Sequence, residues 1–268
     1  MMGHINKTDK LDANALATLL RIGSLPTVWL PPADIREDRE LPRTRMAVCR
    51  MRTSLKNRIH SILANYALSP DDGSELFSQR GRAWLASSLS RLPPETSRCL
   101  SQQLELLDSF SLQISALEER IRSQIALSPR MQLLKSLPGV GDILAILIDR
   151  ELGTISRFPS APQFSSYCGT TPRLSSSGGK THYGRMRTES NQYLKWAFIE
   201  AAKVVSAHHA QRGWVSKFVS TLYLRIRGRK GSSVAIGAVA RHLAESAFWV
   251  LSKNEPYCEP KQVSPRQG

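Results

Sequence analysis

Long apolar runs are missing from this sequence. Ile143–Ile148 is among the longest, far short of the roughly 20 residues that a membrane-crossing helix needs. The opening MMGHINKTDKLDA has no apolar secretory core. These two absences speak against a membrane protein. Cysteine is scarce as well: Cys49, Cys99, Cys168 and Cys258 lie far apart with no C-x-x-C pair. That excludes a disulfide frame or a thiolate zinc site and points to reduced thiols in a cytosolic protein. Acid is in short supply: 22 Asp and Glu face 37 Lys and Arg, a net charge of +15 and a pI near 10.1. A neutral metabolic enzyme is therefore not the default. A polyanion partner is, because each cation set on a phosphate releases a counterion. A hydrophobic share of 41% is enough for one large domain or two small ones.

The excess charge is uneven. Residues 1–130 carry 18 basic and 14 acidic side chains, residues 131–170 three of each, and residues 171–268 carry 16 and 5. A polyanion should sit on the last third of the chain.

Apolar spacing predicts a mostly helical protein. Leu11–Ile22 reads as a helix capped by Gly23, and Leu30-Pro31-Pro32 breaks the chain. A second helix is expected from Arg43 to about Leu68. Its Arg43, Arg45, Arg50, Arg52, Lys56 and Arg58 have no acid among them, which suits an anionic partner unless acids of another helix pair with them. From Ser97 to Leu127, Leu100, Leu107, Ile114 and Ile121 recur every seven residues, a coiled-coil-like stripe. It could serve packing against the basic helix or dimerisation. Residues 161–190 read as loops with short extended pieces, Asn191–His209 as an amphipathic helix and Val234–Leu251 as a closing helix.

Four constellations could carry chemistry. Asp9 and Asp12 stand at i, i+3, so on a helix their carboxylates share a face and can share a hard cation such as Mg²⁺; the same pair also simply begins a helix and complements its dipole. Gly139 and Gly141, in Leu137-Pro-Gly-Val-Gly, fit a helix-hairpin-helix turn whose backbone N–H groups receive a phosphate, or an ordinary turn between helices. The third is Thr171-Pro-Arg173-Leu-Ser-Ser176-Ser177-Gly-Gly-Lys180-Thr with Arg185 and Arg187. It is a basic loop able to cradle a phosphodiester, with a serine as possible nucleophile. Gly179-Lys180-Thr181 has Leu174 where a P-loop needs Gly, and Ser177-x-x-Lys180 has no β-lactamase companion motifs. Arg225, Arg227, Arg229 and Lys230 form the fourth, a cationic loop suited to phosphate backbone or simply a solvated basic turn. His208-His209 lacks further metal ligands.

The order KTDKLDA, LPGVGDILAILI and YCGTTPRLSSSGGKTHYGRMRTESNQYLKWAFIEAA resembles insertion-sequence transposases that join a RuvC-like DEDD domain to a C-terminal serine-bearing domain, the bridge-RNA-guided recombinases. The likeness spans nearly the whole chain and is most specific from about Leu133 to Ala202. It implies DNA transposition in which DEDD carboxylates bind Mg²⁺ and a serine attacks a DNA phosphodiester. By position, Asp9 and Asp12 match the last two acids, and Ser177, with Ser176 as rival, matches the nucleophile. Arg173, Lys180, Arg185 and Arg187 would hold the scissile phosphate, and the glycine turn with Arg45, Arg52 and Lys56 would help hold RNA and DNA. Expected partners are DNA, a guide RNA and further copies of the chain, in the cytoplasm at the nucleoid. Only eight residues precede Asp9, which predicts an N-terminally truncated copy or a late start with half of the metal site missing; a non-catalytic nucleic-acid-binding remnant and a helix-hairpin-helix DNA-binding protein stand as the alternatives. Glu189-Ser-Asn191 stands where a Gly before the Asn is expected. The resulting division is a RuvC-like α/β remnant at 1–42, a helical coiled-coil-like region at 43–127, a helical transposase domain with the helix-hairpin-helix-like element at 128–257, and a flexible tail at 258–268.

Overall fold

The structure, a computed structural model, describes residues 8–25, 28–177 and 179–260, and their side chains apart from those of Ser177 and residues 180–183. Among these it is mainly α, as the periodicity predicts, with ten α-helices and one two-stranded sheet. The chain folds as two compact units that meet in sequence between Ala33 and Asp34.

The first unit contains helix α1 (Asp9–Arg21). Thr8 caps it by accepting from the Leu11 N–H, and Asp9 and Asp12 sit in its first turn, where the helix dipole favours them. No residue of α1 is buried; Leu11, Leu16 and Leu20 are exposed.

The second unit opens with α2 (Ala33–Asn65), about 50 Å long at 1.5 Å per residue. It begins ten residues before the predicted start. Pro42, the usual helix breaker, lies inside it. Contacts on either side hold the helix there: the Arg39 guanidinium donates to the carbonyls of Arg150 at 2.8 Å and Glu151 at 3.0 Å, and Arg43 pairs with the Glu151 carboxylate. Helix α3 (Gln79–Ser88) follows, then α4 (Pro94–Gln124). Helices α2 and α4 run antiparallel: Arg45 meets Glu118 towards one end, and Tyr66, just past α2, meets Thr96 at the other. The heptad residues Leu100, Leu107, Ile114 and Ile121 are all buried within the chain, so intramolecular packing uses the stripe that could have served a dimer.

That stripe serves two separate cores. Leu100 and Leu107 join Ile59, Leu63 and Leu85 in an outer cluster. Ile121 belongs to the main core, built by α5 (Pro129–Lys135), α6 (Asp142–Leu152), α7 (Ala161–Tyr167), α8 (Gln192–His208), α9 (Phe218–Lys230) and α10 (Ser232–Lys253). Two expected loops are thereby corrected: α7 falls inside 161–190, and the cationic segment at 222–230 is the last part of α9. The 22-residue α10 is long and apolar enough to cross a membrane by composition, but Val239, Ala240, Leu243 and Ala247 are fully buried against neighbouring helices. Its small residues allow close packing on α8, α9 and α7.

Between α7 and α8 the chain forms a hairpin of β1 (Pro172–Ser177) and β2 (Lys180–Met186). The strands are antiparallel, pairing Ser177 with Lys180, Ser176 with Thr181 and Ser175 with His182, with an irregularity between Pro172 and Leu174. Gly179 has φ +74°, which suits a residue without Cβ in a tight hairpin turn.

Candidate nucleic-acid interface

The hairpin is fastened at its foot. The Met186 side chain of β2 reaches α10, where a Cβ on Gly237 would stand 2.8 Å from the Met186 Cε. The Lys195 ammonium donates to the Arg187 carbonyl at 2.8 Å, and Gln192 donates to the Thr188 carbonyl at 2.6 Å. Asn191 then caps α8, its Oδ1 accepting from the N–H groups of Tyr193 and Leu194 at 3.0 Å each.

This placement unites residues that the sequence reading kept apart. Arg185 of β2 borders a groove of about 670 Å³ together with Arg225, Arg229 and Lys230 of α9 and Arg241 of α10. Among the described residues lining it there is no carboxylate, although Arg241 reaches out of it to Glu245, one turn along α10, at 2.8 Å. Arg225 and Arg229 share a face because they stand four apart on a helix, whereas Arg227 turns away, its guanidinium 6.0 Å from the Tyr223 ring centre. Lys230 belongs to the cationic stretch expected to meet phosphate; Arg241 was absent from the expected contacts. The spacings 225/229 and 237/241 were the available signal, legible once both segments are taken as helices.

At the hairpin tip Ser177 ends β1 and is paired across the strands with Lys180; Ser176 precedes it and is exposed. Arg173, at the other end of β1, is already engaged. It forms an ion pair with Glu189 and donates to the Thr188 hydroxyl at 3.0 Å. The Arg173 hydrogen bond, helped by the Glu189 backbone N–H and Thr188, pulls the Glu189 carboxyl down to about 2. Arg187 is exposed.

The basic stretch of α2 splits in two. Arg43 and Arg45 meet acids of other helices, the pairing their run of one sign left open. Arg43 holds both oxygens of the fully buried Glu151, at 2.5 and 3.1 Å, and lies 4.3 Å from the Tyr193 ring centre. Asn191 donates to the same carboxylate at 2.9 Å, so one buried acid ties α2 to the cap of α8. Arg45 donates twice to Glu118, at 3.0 and 2.6 Å. Arg50 and Arg52 line, with Arg45, a cleft of about 600 Å³ to which α8 brings Trp196 and the pair Glu200–Lys203, 2.7 Å apart. Lys56 lies over Phe77, 4.4 Å from the ring centre.

The two glycines of the α5–α6 turn differ. Gly139 has φ +82°, and a Cβ there would fall 2.4 Å from the Ala201 carbonyl oxygen, so its bareness serves the packing of the turn on α8. Gly141 has open space where a Cβ would be and precedes Asp142, whose carboxylate pairs with Lys135 at 2.7 Å.

Asp9 and Asp12 bring two exposed carboxylates to one turn of α1. Among the described residues no group of three or more His, Cys, Asp or Glu side chains could hold a metal. Two carboxylates suit Mg²⁺ that keeps its waters and takes oxygens from a substrate phosphate; they do not make a closed site.

Two family models match this chain. One, described as the transposase IS116/IS110/IS902 family, covers residues 131–219; the other, described as transposase, covers residues 1–68. The chain is 26% identical over 257 residues to the transposase for insertion sequence element IS1111A of Coxiella burnetii, a match covering 94% of this chain and 68% of the relative. A probable family 20 transposase of Pseudomonas aeruginosa is 26% identical over 267 residues, covering 94% and 75%. The transposase for insertion sequence element IS1328 of Yersinia enterocolitica is 26% identical over 248 residues, covering 92% and 72%.

Proposed function

Because the chain belongs to the IS116/IS110 family of transposases, we propose that it serves DNA transposition by cutting and rejoining strands with a hairpin serine. The observation that carries this reading is the groove of Arg185, Arg225, Arg229, Lys230 and Arg241, lined by no acid among the described residues, at the foot of the strands that bear Ser176 and Ser177. Cations so placed hold a DNA backbone and leave the hairpin tip within reach of it.

In the reaction, the Ser177 hydroxyl oxygen attacks phosphorus as its proton departs. An Oγ–P bond forms, and the bond from phosphorus to one sugar oxygen breaks, leaving that sugar with a hydroxyl after protonation. A sugar hydroxyl of the incoming strand then attacks the phosphoserine, restoring the phosphodiester and releasing the serine. Lys180, the cross-strand partner of Ser177, supplies positive charge where negative charge grows on the phosphoryl oxygens, while Arg185, farther down β2, holds the backbone in the groove. Asp9 and Asp12 would hold Mg²⁺, which would supply charge neutralisation at a nucleic-acid phosphate. A guide RNA and further copies of the chain complete the assembly, and the cleft at Arg50 and Arg52 is the second basic surface available to them.

The test is a covalent-adduct assay with Mg²⁺ and DNA carrying the ends of the element. Ser177→Ala should abolish the adduct and leave DNA binding within about twofold, while Ser176→Ala retains it. An adduct lost only in Ser176→Ala moves the nucleophile by one residue. Adducts that survive both changes, or none from the unaltered chain, refute the serine reading.

A further inference from the structure

The groove at the hairpin foot has two chemistries. Beside its five cations it is lined by the apolar Pro172, Met186, Ile226, Val234 and Ala238. Val234 is 49% exposed although it is a large aliphatic side chain on the same groove as five cations. A duplex keeps its bases stacked inside and offers a polyanionic outer surface, so the apolar part of the lining of this hollow of about 670 Å³ adds nothing to holding it. An unstacked base is different: it has flat apolar faces to desolvate, and phosphates on both sides to neutralise.

We propose that this hollow is a nucleotide site that takes an unpaired DNA base, with the flanking phosphates on Arg185, Arg225 and Arg229. The proposal rests on the transposase reading and deepens it: the substrate bound at the groove is locally melted DNA rather than uninterrupted duplex. The strand concerned is the one that runs on to the serines. Lys180, the cross-strand partner of Ser177, is five residues along β2 from Arg185. At about 3.3 Å per strand residue that is about 17 Å, or roughly five base steps of 3.4 Å.

The test is equilibrium binding in the full chain carrying Ser177→Ala, so that no chemistry contributes, at one fixed salt concentration. The probes are a fully paired DNA duplex, the same duplex with one unpaired central thymidine, and an RNA duplex with one unpaired uridine. The bulged DNA should bind about tenfold or more tightly than the paired duplex, as expected of one base transferred to a desolvated site. Ala238→Phe, which fills the hollow and keeps every cation, should erase that preference and leave paired-duplex affinity within about twofold. Val234→Phe, at a half-exposed position, repeats the test should Ala238→Phe lower the melting temperature. Equal binding of paired and bulged DNA overturns the proposal, as does a preference that both substitutions leave intact. Tighter binding of bulged RNA than of bulged DNA, lost in the filled variants, assigns the hollow to RNA and overturns it too. None of these outcomes depends on an adduct, so failure here is distinct from failure of the serine reading.

Discussion

Glu151 provides the sharpest test of how the interface is held. Its carboxylate is fully buried and accepts from Arg43 at 2.5 and 3.1 Å and from Asn191 at 2.9 Å. Truncation to Ala would leave the Arg43 guanidinium short of its acceptor in a place only 28% open to water, and the Asn191 amide without one of its partners. Removing one member of a buried pair costs about 3–5 kcal/mol. Partial rehydration of Arg43 puts this case near the lower end, and the orphaned amide adds about 1 kcal/mol, for a sum of about 4 kcal/mol. Glu151→Gln should do little better, because its single carbonyl oxygen cannot serve three donors and its NH₂ must face one of them. Urea denaturation followed by circular dichroism and tryptophan fluorescence measures this, the coincidence of the two curves checking two-state behaviour. Arg43→Met with Glu151→Leu should cost less than the two single changes together, because no charge is stranded. A loss under about 1 kcal/mol for Glu151→Gln would refute the reasoning.

Gly139→Ala should destabilise by at least about 2 kcal/mol, from its positive φ and the clash with the Ala201 carbonyl, while Gly141→Ala should stay below about 1 kcal/mol; thermal unfolding compares them. The Glu189 carboxyl titrates at about 2, so the Arg173 contact is fully present above the ordinary carboxyl range near 4.5 and fades as the pH falls through about 2. NMR titration of Arg173→Ala should raise Glu189 towards the ordinary value of about 4.3, and an unmoved value would break the assignment. Arg229→Ala should reduce the slope of log affinity against log salt on duplex DNA by about 0.9, whereas Arg43→Met should leave that slope unchanged. Equal slopes for Arg229→Ala and the unaltered chain would remove Arg229 from the phosphate contacts.

Most of the helical fabric was legible because it depends on local periodicity. The heptad stripe at Leu100, Leu107, Ile114 and Ile121 marked a buried face, and Gly23 marked the end of α1. The misread segments were those where tertiary contacts outweigh local signals. Pro42 announces a helix start, yet Arg39 and Arg43 reach Glu151 and its neighbours and hold the helix through it. The run of small polar residues at Ser175–Ser177 gives no apolar alternation, so the hairpin is visible only in its pairing with β2. For the site, the cations were legible as residue types but their grouping was not. Arg185 and Arg229 are 44 positions apart, and only the tertiary fold brings them to one groove. Which arginines are free for a ligand was legible least, since Glu118, Glu151 and Glu189 lie far along the chain from the bases they neutralise or carry no mark of doing so.

The antiparallel course of α2 and α4 makes their outer end a ruler. From Arg45 to Tyr66 the chain advances 21 residues on one side, and from Thr96 to Glu118 it advances 22 on the other, so the two helices keep step. The outer cluster has its own buried residues, Ile59, Leu63, Leu85, Leu100 and Leu107 among them, and does not draw on the core beneath the groove. Equal insertions of seven residues into both helices would therefore lengthen the arm by about 10 Å, at 1.5 Å per residue, while every contact at its root kept its register. The length of this helical pair and the shape of the groove are thus separable traits in this architecture, and a change in one leaves the other in place.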